Sequence, residues 1–229
     1  MGTPYQEVLE AAAAIELIHT YTLIIDDIQD DDELRRDVPA THVKYGINLS
    51  LLAASTLLIE GTSRLQTQVK MPPTMLRQIL HKLHAGQEAD IESQHWSHSN
   101  RSVGSVEFIF SGKSGALFEL SCVSAAGSRK MKTQTFVDLA RIGSEMGIIF
   151  QAVDDYLEVT DDKGRTGKPV RKDRGNKLTF MNLFSNISEA KEAIYLKRAD
   201  LESKIQKSIG KNRATPLIDF LTVLVDRTR

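Results

Sequence analysis

Between residues 26 and 33 the chain places six carboxylates in eight positions, Asp26-Asp27-Ile28-Gln29-Asp30-Asp31-Asp32-Glu33, with Leu34, Arg35 and Arg36 directly behind. Like charges at that density repel, so the stretch needs counter-charge to hold a fixed form. If the preceding helix runs through it, Asp26 and Asp30 stand one turn apart on one face, with Asp27 beside them. Carboxylates so placed could share hard cations. Mg²⁺ suits all-oxygen sites and usually binds through a few carboxylates together with a substrate's phosphates. A solvated acidic helix end is the plainer account of one such cluster. Its weight falls because Asp154-Asp155-Tyr156-Leu157-Glu158 repeats the i, i+1, i+4 spacing at the end of a second apolar run. Two matching platforms predict a cation site served by both.

Three chemistries suit facing carboxylates in a helical protein. Di-iron bundles want Glu-x-x-His pairs, and neither cluster has a histidine at that spacing. A protonic acid/base pair needs fewer carboxylates than are present. Several Mg²⁺ ions clamping a diphosphate would also require scattered cations for the remaining oxygens. Those exist as Arg35 and Arg36, as Lys113 in Ser111-Gly112-Lys113-Ser114-Gly115, and as Lys168, Arg171, Lys172, Arg174 and Lys177. Singly each reads as a solvated surface charge; with both acidic motifs they point to diphosphate.

The elements that must position these groups read as helices. Helical periodicity dominates and strand alternation is scarce. Helices are expected over 4–36, ending before Pro39, and over 48–65, 74–95, 103–126, 133–159, 189–208 and 216–225. Residues 161–176, with three glycines, a proline and many charges, read as a loop. Gly143 and Gly147 inside the fifth helix mark either close helix approach or tolerance. The expected fold is all-α, a single helical bundle over 1–229 with a central cavity.

Composition excludes several classes. With 229 residues, 41% hydrophobic and 26% charged residues, the chain has the profile of a globular protein. A formal net charge of −1 gives no reason to expect nucleic acid or an anionic membrane. Cys122 is the one cysteine, which excludes an internal disulfide and fits a reducing compartment; its helical setting predicts an inert filler. No 18-residue apolar span or signal peptide is read in the sequence, so a cytoplasmic location without a stable membrane anchor is expected.

At this point the chain resembles the trans-isoprenyl diphosphate synthases, the polyprenyl synthetase family that makes farnesyl and geranylgeranyl diphosphates. Asp26-Asp27-Ile28-Gln29-Asp30 with Arg35, Arg36, Pro39 and His42 is similar to its DDxxD form and the paired arginines behind it. Gly86-Gln87-Glu88-Ala89-Asp90-Ile91 resembles GQxxDL, and Lys113-Ser114-Gly115-Ala116-Leu117 resembles KTGAL. Phe150-Gln151-Ala152-Val153-Asp154-Asp155-Tyr156-Leu157-Glu158 resembles FQxxDDxxD, followed at similar spacing by Thr166-Gly167-Lys168, Asp173 and Asn176-Lys177. Glu158 replaces the last aspartate, and Asp37 stands where the family usually has glycine. A GGKRxRP segment that the family carries earlier has no counterpart here, so an amino-terminally shortened member is expected.

The resemblance implies an isoprenoid synthase fold and a head-to-tail condensation of an allylic diphosphate with isopentenyl diphosphate. It implies that Asp26, Asp27, Asp30, Asp154, Asp155 and Glu158 hold Mg²⁺, three ions in all. Arg35, Lys113, Lys168 and Lys177 would bind the allylic diphosphate, with Ser114 and Gln151 lining the reacting centre. His19 and Arg36 would contact isopentenyl diphosphate. Tyr21, five residues before Asp26, would stop chain growth at geranylgeranyl diphosphate. A homodimer, or assembly with a partner prenyl synthase subunit, is implied too. The competing readings are a non-catalytic or regulatory subunit of such a synthase and a class I terpene cyclase.

Overall fold

The computed structural model describes residues 5–97, 100–126, 133–160 and 178–227. Lys168 and Lys177, with Arg171, Lys172 and Arg174, lie outside the described residues. Nine α-helices appear among them: α1 (Tyr5–Gln29), α2 (Thr41–Tyr45), α3 (Ile47–Thr67), α4 (Pro73–Ser93), α5 (Val103–Phe110), α6 (Ala116–Ala126), α7 (Thr133–Thr160), α8 (Ile187–Ile209) and α9 (Lys211–Asp226). The only sheet among the described residues is a two-residue ribbon, β1 (Leu34–Arg35) antiparallel to β2 (Val38–Pro39). The all-α class holds. The chain divides into two compact units: among the described residues, the first holds 5–76 and 124–126, and the second holds 77–123, 133–160 and 178–227.

In the first unit α1 packs on α3. Ala11, Ala14 and Ile18 recur at helical spacing on the buried stripe of α1, and Ser50, Ala54, Gly61 and Leu65 on that of α3. Small residues let the two backbones come close. A Cβ at Gly61 would stand 2.7 Å from the Ile18 side chain and 2.8 Å from the Ala14 carbonyl. α1 is also long and apolar enough to cross a membrane, by length and composition alone. The sequence expectation of no such span is corrected here: between Val8 and Ile25 only Glu10 and Glu16 carry charge.

The helix expected over 4–36 ends instead at Gln29. Asp31 takes the left-handed conformation at φ 53°, which stops the helix, and the chain reverses through the ribbon. Arg36 and Asp37 are the two loop residues of that hairpin, at φ 52° and 63°. Positive φ at both central residues is the type I′ pattern, where glycine and asparagine are at ease and arginine is not. This explains why a glycine would suit position 37. The Asp30 N–H donates to the Asp26 carbonyl at 2.9 Å.

The second unit is built on α7, whose Ile142, Met146, Ile149, Ala152, Val153, Tyr156 and Leu157 are buried. Ala190, Ile194, Leu201 and Ile205 of α8 and Ala214, Leu221, Leu224 and Val225 of α9 belong to the same core. The helix expected over 103–126 is not regular. A π turn at Ser111–Gly115 separates α5 from α6, a device found often at functional sites. The last helix starts at Lys211, after Gly210 at φ 81°, so Pro216 lies inside it rather than at its start.

Candidate active site

The first acidic motif closes α1. Asp27 is only 3% exposed, and the Arg35 Nε donates to its Oδ1 at 2.9 Å. A second Arg35 nitrogen also pairs with Asp27 and lies 3.8 Å from Asp26 Oδ2. The hairpin thus folds a guanidinium back over two carboxylates. Burial opposes the Arg35 charge, but the hydrogen bond and charge of Asp27, joined by Asp26 and Asp32, raise its pKa overall. Arg36 is exposed.

His19 and Tyr21 sit on α1 before the motif, both partly buried. The His19 Nδ1 is buried without a hydrogen-bond partner. Desolvation lowers its pKa; Glu16 opposes the shift, while Arg36 and Arg35 reinforce it. A neutral imidazole follows over most of the neutral range. Burial pushes the Tyr21 phenol up.

In the second unit three motifs meet through glycine contacts. A Cβ at Gly86 would lie 2.5 Å from the Gly112 Cα, and one at Gly147 would lie 2.4 Å from the Gly115 Cα. Neither could be accommodated without moving backbone. The π turn is therefore pressed against α4 on one side and α7 on the other. Close approach, rather than tolerance, is the reason for Gly143 and Gly147: a Cβ at Gly143 would come within 2.6 Å of the Phe118 carbonyl.

That packing joins the polar side chains. Lys113 Nζ donates to Asp90 Oδ2 at 2.8 Å. The Ser114 hydroxyl donates to Gln151 Oε1 at 2.8 Å, and Gln151 Nε2 donates to Asp155 Oδ1 at 3.1 Å. Asp155, 4% exposed, also accepts from the Phe180 N–H at 2.8 Å through Oδ2. Asp154 points elsewhere, taking a 2.9 Å bond from Arg227, whose guanidinium lies 4.9 Å over the Phe150 ring. Glu158 is half-buried one turn further along α7. Beneath this layer Lys82 Nζ donates to Glu119 at 2.7 Å and to Ser144 at 2.9 Å.

Within each unit, then, predicted residues are brought together: Asp26, Asp27 and Arg35 in the first, and Lys113, Ser114, Gln151 and Asp155 in the second. Asp90, Arg227 and the Phe180 amide were not among the predicted site residues. Asp90 lay inside a recognised motif and was legible as a candidate; Arg227, far along the chain, left no signal. Burial and then Glu119 push the Cys122 thiol up to about 11, so it is no nucleophile at neutral pH.

Among the described residues, no group of three or more His, Cys, Asp or Glu side chains is gathered to hold a metal ion unaided. The donor chemistry nevertheless fits Mg²⁺, which takes one or two carboxylates and completes its shell with water and phosphate oxygens. Arg35, spanning Asp26 and Asp27, marks the first motif as a place where positive charge is already accepted.

Comparison with known proteins decides the family. The polyprenyl synthetase family model matches residues 2–212. The chain belongs to the polyprenyl synthetase family. A geranylgeranyl diphosphate synthase of Cyanophora paradoxa is 30% identical over 241 residues, covering 99% of this chain and 78% of its own length. One from Sulfolobus acidocaldarius is 31% identical over 222 residues, with 90% and 62% covered. Among solved structures, the geranylgeranyl pyrophosphate synthetase of Pyrococcus horikoshii superposes at TM-score 0.75 with 25% identity, over 98% of this chain and 81% of its own. The Helicobacter pylori geranyltransferase solved with magnesium and isoprenyl diphosphate gives TM-score 0.77 at 23% identity, over 96% and 74%. The fold is therefore that of the isoprenoid synthases, and the chain is an enzyme of the prenyltransferase kind.

Proposed function

We propose that the chain condenses an allylic diphosphate with isopentenyl diphosphate, head to tail, and that its product is geranylgeranyl diphosphate. One observation carries the assignment of roles. The hydrogen-bonded line Ser114–Gln151–Asp155, with Lys113 beside it, unites segments that the sequence places far apart.

Diphosphate leaves carbon only when the charge growing on its bridging oxygen is stabilised. Bound Mg²⁺ supplies Lewis acidity for that charge. Asp26, Asp27, Asp30, Asp154, Asp155 and Glu158 would hold it. Lys113 and Arg35 donate to the remaining diphosphate oxygens, and Lys168 and Lys177 share that role in the proposal. Ser114 and Gln151 present their dipoles to the allylic centre as positive charge develops there. The π-bond of isopentenyl diphosphate attacks that carbon, the C–O bond to diphosphate breaks, and the proton lost in restoring a double bond goes to the released diphosphate. His19 and Arg36 bind isopentenyl diphosphate, where the lowered His19 pKa makes its ring a hydrogen-bonding partner more than a charge. Tyr21 limits chain growth.

Assembly with a second subunit belongs to the same proposal; a 28% identical Arabidopsis thaliana relative is named the large subunit 2 of a heterodimeric geranylgeranyl pyrophosphate synthase. A reducing, cytoplasmic setting is the proposed location. The test is incorporation of labelled isopentenyl diphosphate with farnesyl diphosphate and Mg²⁺, products sized by chromatography. Geranylgeranyl diphosphate is expected, falling by about 10²–10³-fold in Asp26→Ala, the scale of losing one charge-stabilising group. No product from the unaltered protein would overturn the proposal.

A further inference from the structure

Asp90 has no part in the chemistry above, yet it is built with care. It is 7% exposed, and a carboxylate that buried persists only when paired. Its partner is Lys113, at 2.8 Å, on the π turn. Two further contacts fix the distance between them. Gly86 and Gly112 let α4 and the π turn touch through backbone. Ser93 donates to the Asp90 carbonyl at 2.7 Å and accepts from the Leu178 N–H at 3.0 Å, pinning the end of α4.

We propose that Asp90 is a positioning residue for Lys113, holding its ammonium oriented for a diphosphate oxygen. Lysine has a flexible four-carbon stem and a strongly hydrated head, so an unheld one delivers its charge poorly. An ammonium carries three donors, and a lysine can serve a carboxylate and a phosphate together. The buried carboxylate thus orders the cation before the substrate arrives. The inference rests on the reading of Lys113 as a diphosphate-binding residue.

Binding of inorganic diphosphate in Mg²⁺ buffer, followed by calorimetry, tests it with Asp90→Asn, Lys113→Gln and the double variant. Asp90→Asn should weaken binding about tenfold, the lower end of the loss seen when a supporting partner of a charged group is removed. In the Lys113→Gln background the same change should cost nothing further. Asp90→Glu, which keeps the charge, should recover part of the loss, and in turnover Asp90→Asn should lower kcat while leaving KM for isopentenyl diphosphate unchanged. Ser93→Ala loosens the same helix end but leaves the Asp90 carboxylate, so it should lower the melting temperature without weakening diphosphate binding. Equal losses from Ser93→Ala and Asp90→Asn, or additive losses in the double variant, would overturn the positioning role alone. Failure of the unaltered protein to bind diphosphate or form product would overturn it together with the proposed function.

Discussion

At Asp26 and Asp27 the carboxylates stand on the last turn of α1 and one guanidinium meets both, whereas at Asp154 and Asp155 the helix runs on to Thr160 and the two part ways. Neighbours on a helix point about 100° apart. In α7 this sends Asp155 into the core, where Gln151 and the Phe180 amide take its oxygens, and leaves Asp154 to Arg227 at the surface. In α1 the same divergence is bridged because the chain turns back and brings Arg35 to its own acidic cluster. A motif shared by spacing is thus stabilised locally in one unit and by long-range packing in the other. Damage to the second should reach the fold; damage to the first should stay near the hairpin.

The largest expected effect follows from the glycine contacts under the second motif. Gly147→Ala puts a methyl 2.4 Å from the Gly115 Cα and 2.8 Å from the Ser114 carbonyl carbon. Backbone, not a pliant side chain, must yield, at about 3 kcal/mol, the upper end for overpacking. Denaturant unfolding followed at Trp96, the one tryptophan and a member of the second unit, checks it. A loss below about 1 kcal/mol would mean that α7 and the π turn are not tightly coupled.

Next in size is the split between neighbours. Asp155→Ala removes a buried acceptor and strands the Phe180 N–H, at about 2–3 kcal/mol. Asp154→Ala breaks a pair whose side chains are 34% and 38% exposed, and exposed pairs are worth under about 1 kcal/mol. Both changes should abolish turnover, so only unfolding separates them. Equal stability losses would erase the distinction between the two carboxylates.

In the first unit Arg35→Ala leaves Asp27 buried without its guanidinium, at about 1–2 kcal/mol. The cost should shrink when Mg²⁺ is added, since the carboxylates accept another cation; the unaltered protein should gain less from Mg²⁺. Thermal melting by circular dichroism with and without the ion is the check. An equal Mg²⁺ response in both proteins would break the claim that Arg35 stands where positive charge is wanted.

The helical class and the grouping of motifs were legible because apolar periodicity and residue identity carry them. The end of α1 was not. No glycine or proline stands between Gln29 and Pro39 to mark the stop, and what ends the helix is a left-handed Asp31 and an arginine that returns to the acidic cluster. The π turn was equally hidden, since shifting the hydrogen-bond register changes no residue. Gly143 and Gly147 signalled either tolerance or contact, and only the neighbouring backbones decide between them. Asp155 looked like a metal ligand by spacing; its bond to the Phe180 amide, 25 residues away, needs the fold to be seen.

The smallest effect sharpens the comparison most directly, because it concerns the second motif's own guanidinium. Arg227 donates to Asp154 at 2.9 Å and stacks over Phe150, as Arg35 donates to Asp27. Here, however, both partners are open to solvent, and water and salt share the attraction. Arg227→Ala should therefore cost no more than about 1 kcal/mol, including the contact with the ring. A double-mutant cycle with Asp154→Ala, run at low and high salt, isolates the pair. Coupling should be under about 1 kcal/mol and fade with salt. A coupling near 2 kcal/mol that survives salt would place Asp154 in the same class as Asp27, and the two motifs would then differ in helix geometry but not in how firmly their carboxylates are held.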